Sequence, residues 1–208
     1  MRQNRPLPLS FYRRPAAAVA RDLLGRYLVR ELGDPDDARL VLRIVETEAY
    51  LGEPDRASHA WGGRRTPRNE SLYLPGGHAY VYFIYGMHWC LNAVTGKSGT
   101  GGAVLLRAGE PVAGEERMIE NRGWARRPRP GDLAGGPGKL CQALAIDRSF
   151  DGVLLNGSPL RITQGEPVPE EQIAAGPRIG VDYAGEAAAW PLRFAVRGNG
   201  HVSRPRPA

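Results

Sequence analysis

The chain's 27 glycines and 18 prolines, spread through 208 residues, set the strongest limit on what it can fold into. Proline ends helices and leaves strand ladders, and glycine weakens both elements. Long uninterrupted elements are therefore not expected; short strands and helices joined by tight turns are. With 42% apolar residues a chain of this length builds one substantial core. No fixed-period repeat and no long spacer divides it. Strands and helices do not alternate regularly, so a doubly wound parallel sheet is not indicated. The organisation read from the residues is one compact mixed α/β (α+β) domain of mostly antiparallel type. Residues 1–15 read as a basic arm, 16–200 as the domain and 201–208 as a C-terminal tail.

Charge and cysteine content narrow the class further. The formal net charge is +6, and seven arginines against Asp22 place all of that excess in residues 1–30, leaving the remainder balanced. Only Lys97 and Lys139 are lysines; the arginine bias suits phosphate recognition or reflects genomic base composition. Cys90 and Cys141 are too few for a disulfide scaffold or a four-cysteine metal site, and a reduced, cytoplasmic setting is the simpler reading. No apolar run is long enough to span a membrane.

Pattern places the elements. A helix is expected from Ala16 to about Leu28 on the apolar positions Val19, Leu23, Leu24 and Leu28. The β-branched run Arg39–Tyr50 (RLVLRIVETEAY) reads as a strand, 78–85 and 89–94 as two more, and 103–106 as a fourth. Residues 110–120 are a modest helix candidate and 137–146 a helix opened by Pro137. Short strands are expected at 153–155, 160–163, 178–181 and 192–196.

Several apparent signatures fail. Gly96-Lys97-Ser98 lacks the glycine that a phosphate loop needs five positions earlier, where Leu91 stands. Asn69-Glu70-Ser71 and Asn156-Gly157-Ser158 fit a glycan acceptor pattern but read as turn composition. The four histidines make no tight cluster, so no metal is expected; His78 and His88 are the pair a hairpin could bring together.

One strand stands out. A period of two puts Glu46, Glu48 and Tyr50 of VETEAY on one face, either a solvated polar face or one leaving a core for a cleft, where a carboxylate can serve as general base. Tyr73, Tyr80, Tyr82, Phe83, Tyr85 and Trp89 crowd the following segment. Tyr82 and Tyr85 differ by an odd number, and Gly86 could turn the second out to a tip. The loop 59–69 carries Arg64, Arg65, Arg68 and Asn69, a solvated turn or a phosphate clamp.

The words RIVETEAYLGEPDRASHAWGGRRTPRNESLYLPGGHAYVYFIYGMHWCLNAV, followed by GGAVLLRAGEP and GPGKLCQALAI, resemble the 3-methyladenine DNA glycosylases of the alkyladenine type, over roughly residues 17–198. The resemblance implies a monomeric, monofunctional repair enzyme without metal or cofactor. Such an enzyme flips alkylated or deaminated purines (3-methyladenine, 7-methylguanine, hypoxanthine, ethenoadenine) from damaged double-stranded DNA and initiates base excision repair. It also implies a curved antiparallel sheet with peripheral helices. Carried over by position, Glu48 is the base that activates water and Arg107 helps hold that water, with main chain at 178–181 as a further contact. Tyr50 and Tyr82 stack on the flipped base, His59 contacts the lesion nucleotide, and Asn92 discourages guanine. Tyr85 is inserted into the duplex. The family pattern gives Glu46 no chemical role, so structural hydrogen bonding is expected of it.

Two departures accompany the resemblance. The TGKSGTGG turn is longer than in mammalian members and bears on how Leu105 meets DNA. Arg126, Arg127 and Arg129 form a basic cluster that either adds phosphate contacts, alongside Arg64, Arg65 and Arg68 as candidate DNA backbone contacts, or is only a surface loop. Neither lysine fits a Schiff-base nucleophile on this pattern, so strand cleavage is not expected. The rival readings are a free-nucleoside glycosidase, which has no need of Tyr85, and a lesion-binding protein without catalysis, which has no need of a Glu48–Arg107 pair.

Overall fold

A computed structural model describes residues 5–33, 39–126 and 128–207. In chain order the elements are α1 (Leu9–Tyr12), α2 (Ala16–Leu23), β1 (Tyr27–Glu31), β2 (Arg39–Tyr50), β3 (Ala79–Ile84), β4 (His88–Thr95), β5 (Gly102–Ala113), α3 (Glu115–Asn121), α4 (Pro137–Ala143), β6 (Asn156–Gly157), β7 (Leu160–Thr163), β8 (Ile173–Gly176) and β9 (Arg193–Val196), with short 3-10 turns between. The strands form one sheet in the order β3-β4-β5-β2-β1-β7-β6, every pairing antiparallel, with β9 added to β2 and β8 to β9. The architecture is thus a single α+β domain around a curved antiparallel sheet with peripheral helices.

β2 organises the molecule. Its first half pairs with β1, its second with β9, and β5 runs along the other edge throughout. One face packs on α2, where Ala16, Val19, Ala20 and Leu23 make the buried stripe and the Thr47 hydroxyl donates to the Ala20 carbonyl at 2.9 Å. The β2–β5 register slips three times. Val41 opposes Ala113 and Leu42 opposes Pro111, leaving Val112 unmatched. Ile44 opposes Gly109 and Glu46 opposes Ala108, leaving Val45 unmatched; Thr47 then opposes Leu106, leaving Arg107 unmatched. Bulges of this kind bend a strand and re-aim the extra side chain, so the period of two along β2 is interrupted at Val45, just before Glu46.

Several expectations are corrected. The first helix ends at Leu23, not Leu28: Gly25 turns the chain at φ 82°, a Cβ there would lie 2.1 Å from the Glu166 carbonyl oxygen, and Tyr27–Glu31 becomes a strand. Residues 110–113 continue β5 opposite 41–43 instead of opening a helix. The strand expected at 178–181 lies earlier, at Ile173–Gly176, and 153–155 is a turn with a single bridge at Leu154. Residues 5–15 are no free arm, since Leu7 and Tyr12 belong to the main core. Nor is the C-terminal segment loose over 201–207: Val202 and Ser203 are buried. His78 and His88 sit at opposite ends of the β3–β4 hairpin, and among the described residues no three His, Cys, Asp or Glu side chains could hold a metal ion. No described helix is long and apolar enough to cross a membrane.

The loop 52–73 is anchored rather than floppy. Ala60, Leu72 and Tyr73 pack with Tyr80, Val94 and Ala103 in a second core. Asn69, which the sequence offered to a phosphate clamp, ties the loop internally: its amide nitrogen donates to the carbonyls of His59 and Arg64, both at 2.9 Å, and its oxygen accepts from the Thr66 amide at 2.7 Å. The TGKSGTGG turn packs behind this loop, with the Gly99 amide donating to the Tyr73 carbonyl.

Candidate active site

The second half of β2 is buried on both faces, so neither Glu46 nor Glu48 meets solvent. A carboxylate stays charged in such a place only if donors replace water. Arg107, aimed between them by the bulge, supplies part of that: its Nε donates to Glu46 Oε1 at 3.1 Å and its Nη1 lies 3.2 Å from Glu48 Oε1. Glu46 also receives Arg193 Nε at 2.6 Å, the Ser203 hydroxyl at 2.9 Å and the Ser203 amide at 2.8 Å. Burial pushes its carboxyl up, but Arg107, Arg193 and Ser203 outweigh that and hold it below the ordinary value. For Arg107 burial opposes the charge, and the two glutamates more than restore it. The expected hydrogen-bonding role of Glu46 is what the geometry displays.

Glu48 is held differently. Oε1 accepts the Ile179 amide at 2.7 Å, and Oε2 accepts the Tyr50 hydroxyl at 2.9 Å. The main-chain contact expected at 178–181 is thus made to the carboxylate itself. Glu48 does not line the adjoining cavity, but Tyr50, Arg107 and Ile179 all do. Arg178 stacks its guanidinium over the Tyr50 ring at 4.8 Å and makes a fully buried pair with Asp55, Nη2 to Oδ1 at 2.9 Å. Asp55 and Arg178 therefore clamp the loops at 52–57 and 178–181 against the carboxylate. Sequence reasoning missed Asp55, because nothing local marks a partner 123 residues away.

The cavity beside this pair has a volume of about 620 Å³, enough for a purine-sized ring system. Tyr50, Tyr82, His59, Asn92, Tyr85 and Arg107 all line it. Tyr82 stacks on Tyr80 with ring centroids 5.4 Å apart, and His59 meets Tyr82 edge-on at 4.6 Å. The Tyr80 hydroxyl and His59 Nδ1 share a 2.7 Å hydrogen bond. Desolvation, then Arg68 and Arg64, push the imidazole below its ordinary range, so it is neutral at pH 7. Burial, with Glu48 adding to it, raises the Tyr50 phenol well above its ordinary value, so the hydroxyl remains a donor. Asn92, 3% exposed, donates Nδ2 to the Tyr80 carbonyl at 3.0 Å, which fixes its amide. Lys139 and the Gly136–Pro137–Gly138 turn also line the cavity, a contribution the sequence reading did not make.

Tyr85 stands at the tip of the β3–β4 hairpin, 75% exposed, with Met87 67% exposed beside it. Its backbone is left-handed at φ 55°, a conformation costing a non-glycine residue about 1–3 kcal/mol, so the tyrosine is presented outward at some expense. On the cavity's flank an open cleft of about 570 Å³ is lined by Arg56, Trp61, Arg64 and Arg68 and shares His59, Tyr80 and Tyr183 with the cavity. Of the loop arginines, Arg64 and Arg68 face that cleft, whereas Arg65 pairs with Glu70 and lies 4.8 Å over Tyr73. Arg126 and Arg129 are exposed and line neither space; Arg127 lies outside the described residues.

A buried carboxylate–arginine pair behind an aromatic, purine-sized cavity, with an exposed aromatic at its mouth, is the layout of a glycosylase that takes a base out of its stack. The family model described as methylpurine-DNA glycosylase matches residues 10–200. A putative 3-methyladenine DNA glycosylase of Myxococcus xanthus is 51% identical over 201 residues, covering 97% of this chain and 95% of its own. One of Methanocella arvoryzae is 51% identical, covering 97% of each. The human DNA-3-methyladenine glycosylase is 46% identical across 95% of this chain and 67% of its own length. The chain belongs to the methylpurine-DNA glycosylase family, whose members are DNA-binding hydrolases of base repair.

Proposed function

We propose that this protein flips an alkylated purine from duplex DNA into the cavity and hydrolyses its N-glycosidic bond with water activated by Glu48. The observation that carries the reading is the placement of Glu48, Arg107 and the Ile179 amide directly behind Tyr50 at the wall of a tyrosine-lined cavity. As the bond between C1′ and the purine nitrogen breaks, its electron pair leaves with the base and positive charge gathers on the sugar. Glu48 stabilises that charge and takes a proton from the water whose oxygen bonds to C1′. Alkylated purines that carry a positive charge are good leaving groups and are attracted to the faces of Tyr50 and Tyr82. The substrates proposed are 3-methyladenine and 7-methylguanine, then hypoxanthine and ethenoadenine, with the fixed Asn92 amide set against guanine's exocyclic amine.

Tyr85 fills the gap left in the stack, and Arg64 and Arg68 meet the phosphates along the cleft. The reaction is hydrolytic, with water and not Lys139 as the nucleophile. The test incubates purified protein with duplexes carrying each lesion and scores base release, with Glu48→Gln alongside. Release from the wild type, loss with Glu48→Gln, and no adduct trapped by borohydride are expected. Full release by Glu48→Gln would falsify the assignment of the base, and a borohydride adduct lost in Lys139→Ala would make the enzyme a lyase.

A further inference from the structure

We propose that Ser203 is a positioning residue for base release: Ser203, with the Pro205 carbonyl beside it, closes the ion network behind Glu48 and fixes the orientation in which the Arg107 guanidinium reaches both glutamates. Ser203 lies outside the stretch matched by the family model, 10–200, and does not line the cavity.

The register slip between Glu46 and Thr47 leaves Arg107 without an opposing residue on β2. Strand pairing alone therefore does not dictate its side-chain direction; its partners do. Nε donates to Glu46 Oε1 at 3.1 Å, Nη1 lies 3.2 Å from Glu48 Oε1, and Nη2 reaches the Ser203 hydroxyl at 3.4 Å. Each nitrogen of the fork has one partner, and the partner of Nη2 comes from the C-terminal segment. The same hydroxyl donates its proton to Glu46 Oε1 at 2.9 Å, while the Ser203 amide donates to Glu46 Oε2 at 2.8 Å. Ser203 thus fixes both oxygens of the carboxylate that holds Arg107 and also accepts from Arg107 itself. A planar guanidinium with all three nitrogens engaged has one orientation; with Nη2 released it can tilt away from Glu48.

The segment is itself pinned, as a positioning element must be. Arg193 Nη2 donates to the Pro205 carbonyl at 2.7 Å and to the Ser203 carbonyl at 3.3 Å while its Nε holds Glu46. Val202, 4% exposed, joins the main core. Arg193 pairs with Glu48 across the β2–β9 ladder, so main chain and side chain tie the segment to the same two positions of β2.

The experiment compares Ser203→Ala, Ser203→Thr and Val202→Ala with the wild type. It measures three quantities: single-turnover base release with enzyme in excess, Kd for a duplex carrying a stable abasic-site analogue, and Tm. Ser203→Ala is expected to slow release by about tenfold, in line with the sensitivity of reactions to small misplacements, with Kd within about twofold of the wild type. Ser203→Thr keeps the hydroxyl and restores the rate. Val202→Ala lowers Tm by opening a small cavity but leaves the rate unchanged. A Ser203→Ala rate within twofold of the wild type overturns the proposal. So does a Val202→Ala rate as slow as that of Ser203→Ala, because the segment then acts through stability alone. Should Ser203→Ala not fold, Ser203→Thr and Ser203→Cys carry the test: the thiol is a weak donor, and equal rates for the two overturn the proposal. The inference rests on the proposed role of Glu48. Full activity of Glu48→Gln removes that reading, whereas an inactive Glu48→Gln beside a fully active Ser203→Ala removes only this one.

Discussion

Glu46 and Glu48 lie two residues apart on β2, both without solvent exposure and both touching Arg107, yet their donors stand in different places. Glu46 receives Arg107, Arg193 and both donors of Ser203, and of these only Arg107 lines the cavity. Glu48 receives Arg107, the Ile179 amide and the Tyr50 hydroxyl, and all three of those residues line it. On the same strand, the first carboxylate is tied into the C-terminal segment and the second sits one residue behind the cavity lining.

The largest expected effect tests the second half of that contrast. Glu48→Gln keeps the size of the side chain but cannot take a proton, and base release should fall by about 10²–10⁴-fold, the span of general-base contributions, with lesion binding retained. Glu46→Gln should behave in the opposite way. Removing the charge leaves Arg107 and Arg193 partly uncompensated, and loss of one partner from a buried ion network costs about 3–5 kcal/mol, read as a lower urea midpoint. Because the carboxyl of Glu46 is held below its ordinary value of 4.5, its contribution to stability is complete above that pH and is lost as the pH falls through the lowered value. The wild type should thus lose stability on acidification more steeply than Glu46→Gln. If Glu46→Gln instead abolished release at unchanged stability, the contrast between the two positions would collapse.

Much of this was legible in the sequence, and the boundary is instructive. β2, the β3–β4 hairpin and α4 are written in local patterns: β-branched runs, a Gly86 stop, a proline-led apolar stripe. Glu48, Tyr50, His59, Tyr82, Asn92 and Arg107 could be nominated from the words around them, and the fold places five of them around one cavity, with Glu48 bonded to the lining residues Tyr50 and Ile179. What escaped is non-local. The three register slips between β2 and β5 leave no compositional trace, and neither does the Asp55–Arg178 pair. The residues at 110–113 read as a helix start because their strand partner lies some 70 positions earlier. The C-terminal segment looked like a tail because a single serine, Ser203, gives no pattern; only the folded register shows that it meets Glu46.

Tyr50→Phe sharpens the comparison on a smaller scale. It removes one of Glu48's three donors and keeps the aromatic face, and a hydrogen bond to a charged group is worth about 1.5–3 kcal/mol. Part of that loss is returned when a water takes the vacated site, so release should fall by no more than about tenfold. A loss as deep as that of Glu48→Gln would mean that the phenol hydroxyl, rather than the carboxylate, decides the rate.

The smallest effect concerns the flank of the site, where charge is counted rather than placed. Arg64 and Arg68 face the open cleft beside the cavity, whereas Arg126 and Arg129 line neither space. Each phosphate contact contributes about 0.9 to the slope of log K against log salt concentration. Replacing Arg64 and Arg68 with glutamine should therefore flatten that slope by about 1–2 and leave single-turnover release at saturation nearly unchanged, since neither side chain touches Glu48 or Glu46. The Arg126 and Arg129 pair was read from its charge alone as a phosphate contact, and the same substitution there decides it: an equal flattening would extend the DNA path past the loop at 124–132. An unchanged slope would confine the path to the cleft and leave that cluster as solvated surface. Either result leaves the contrast between the two glutamates as it stands, because neither arginine pair is among the donors to Glu46 or Glu48.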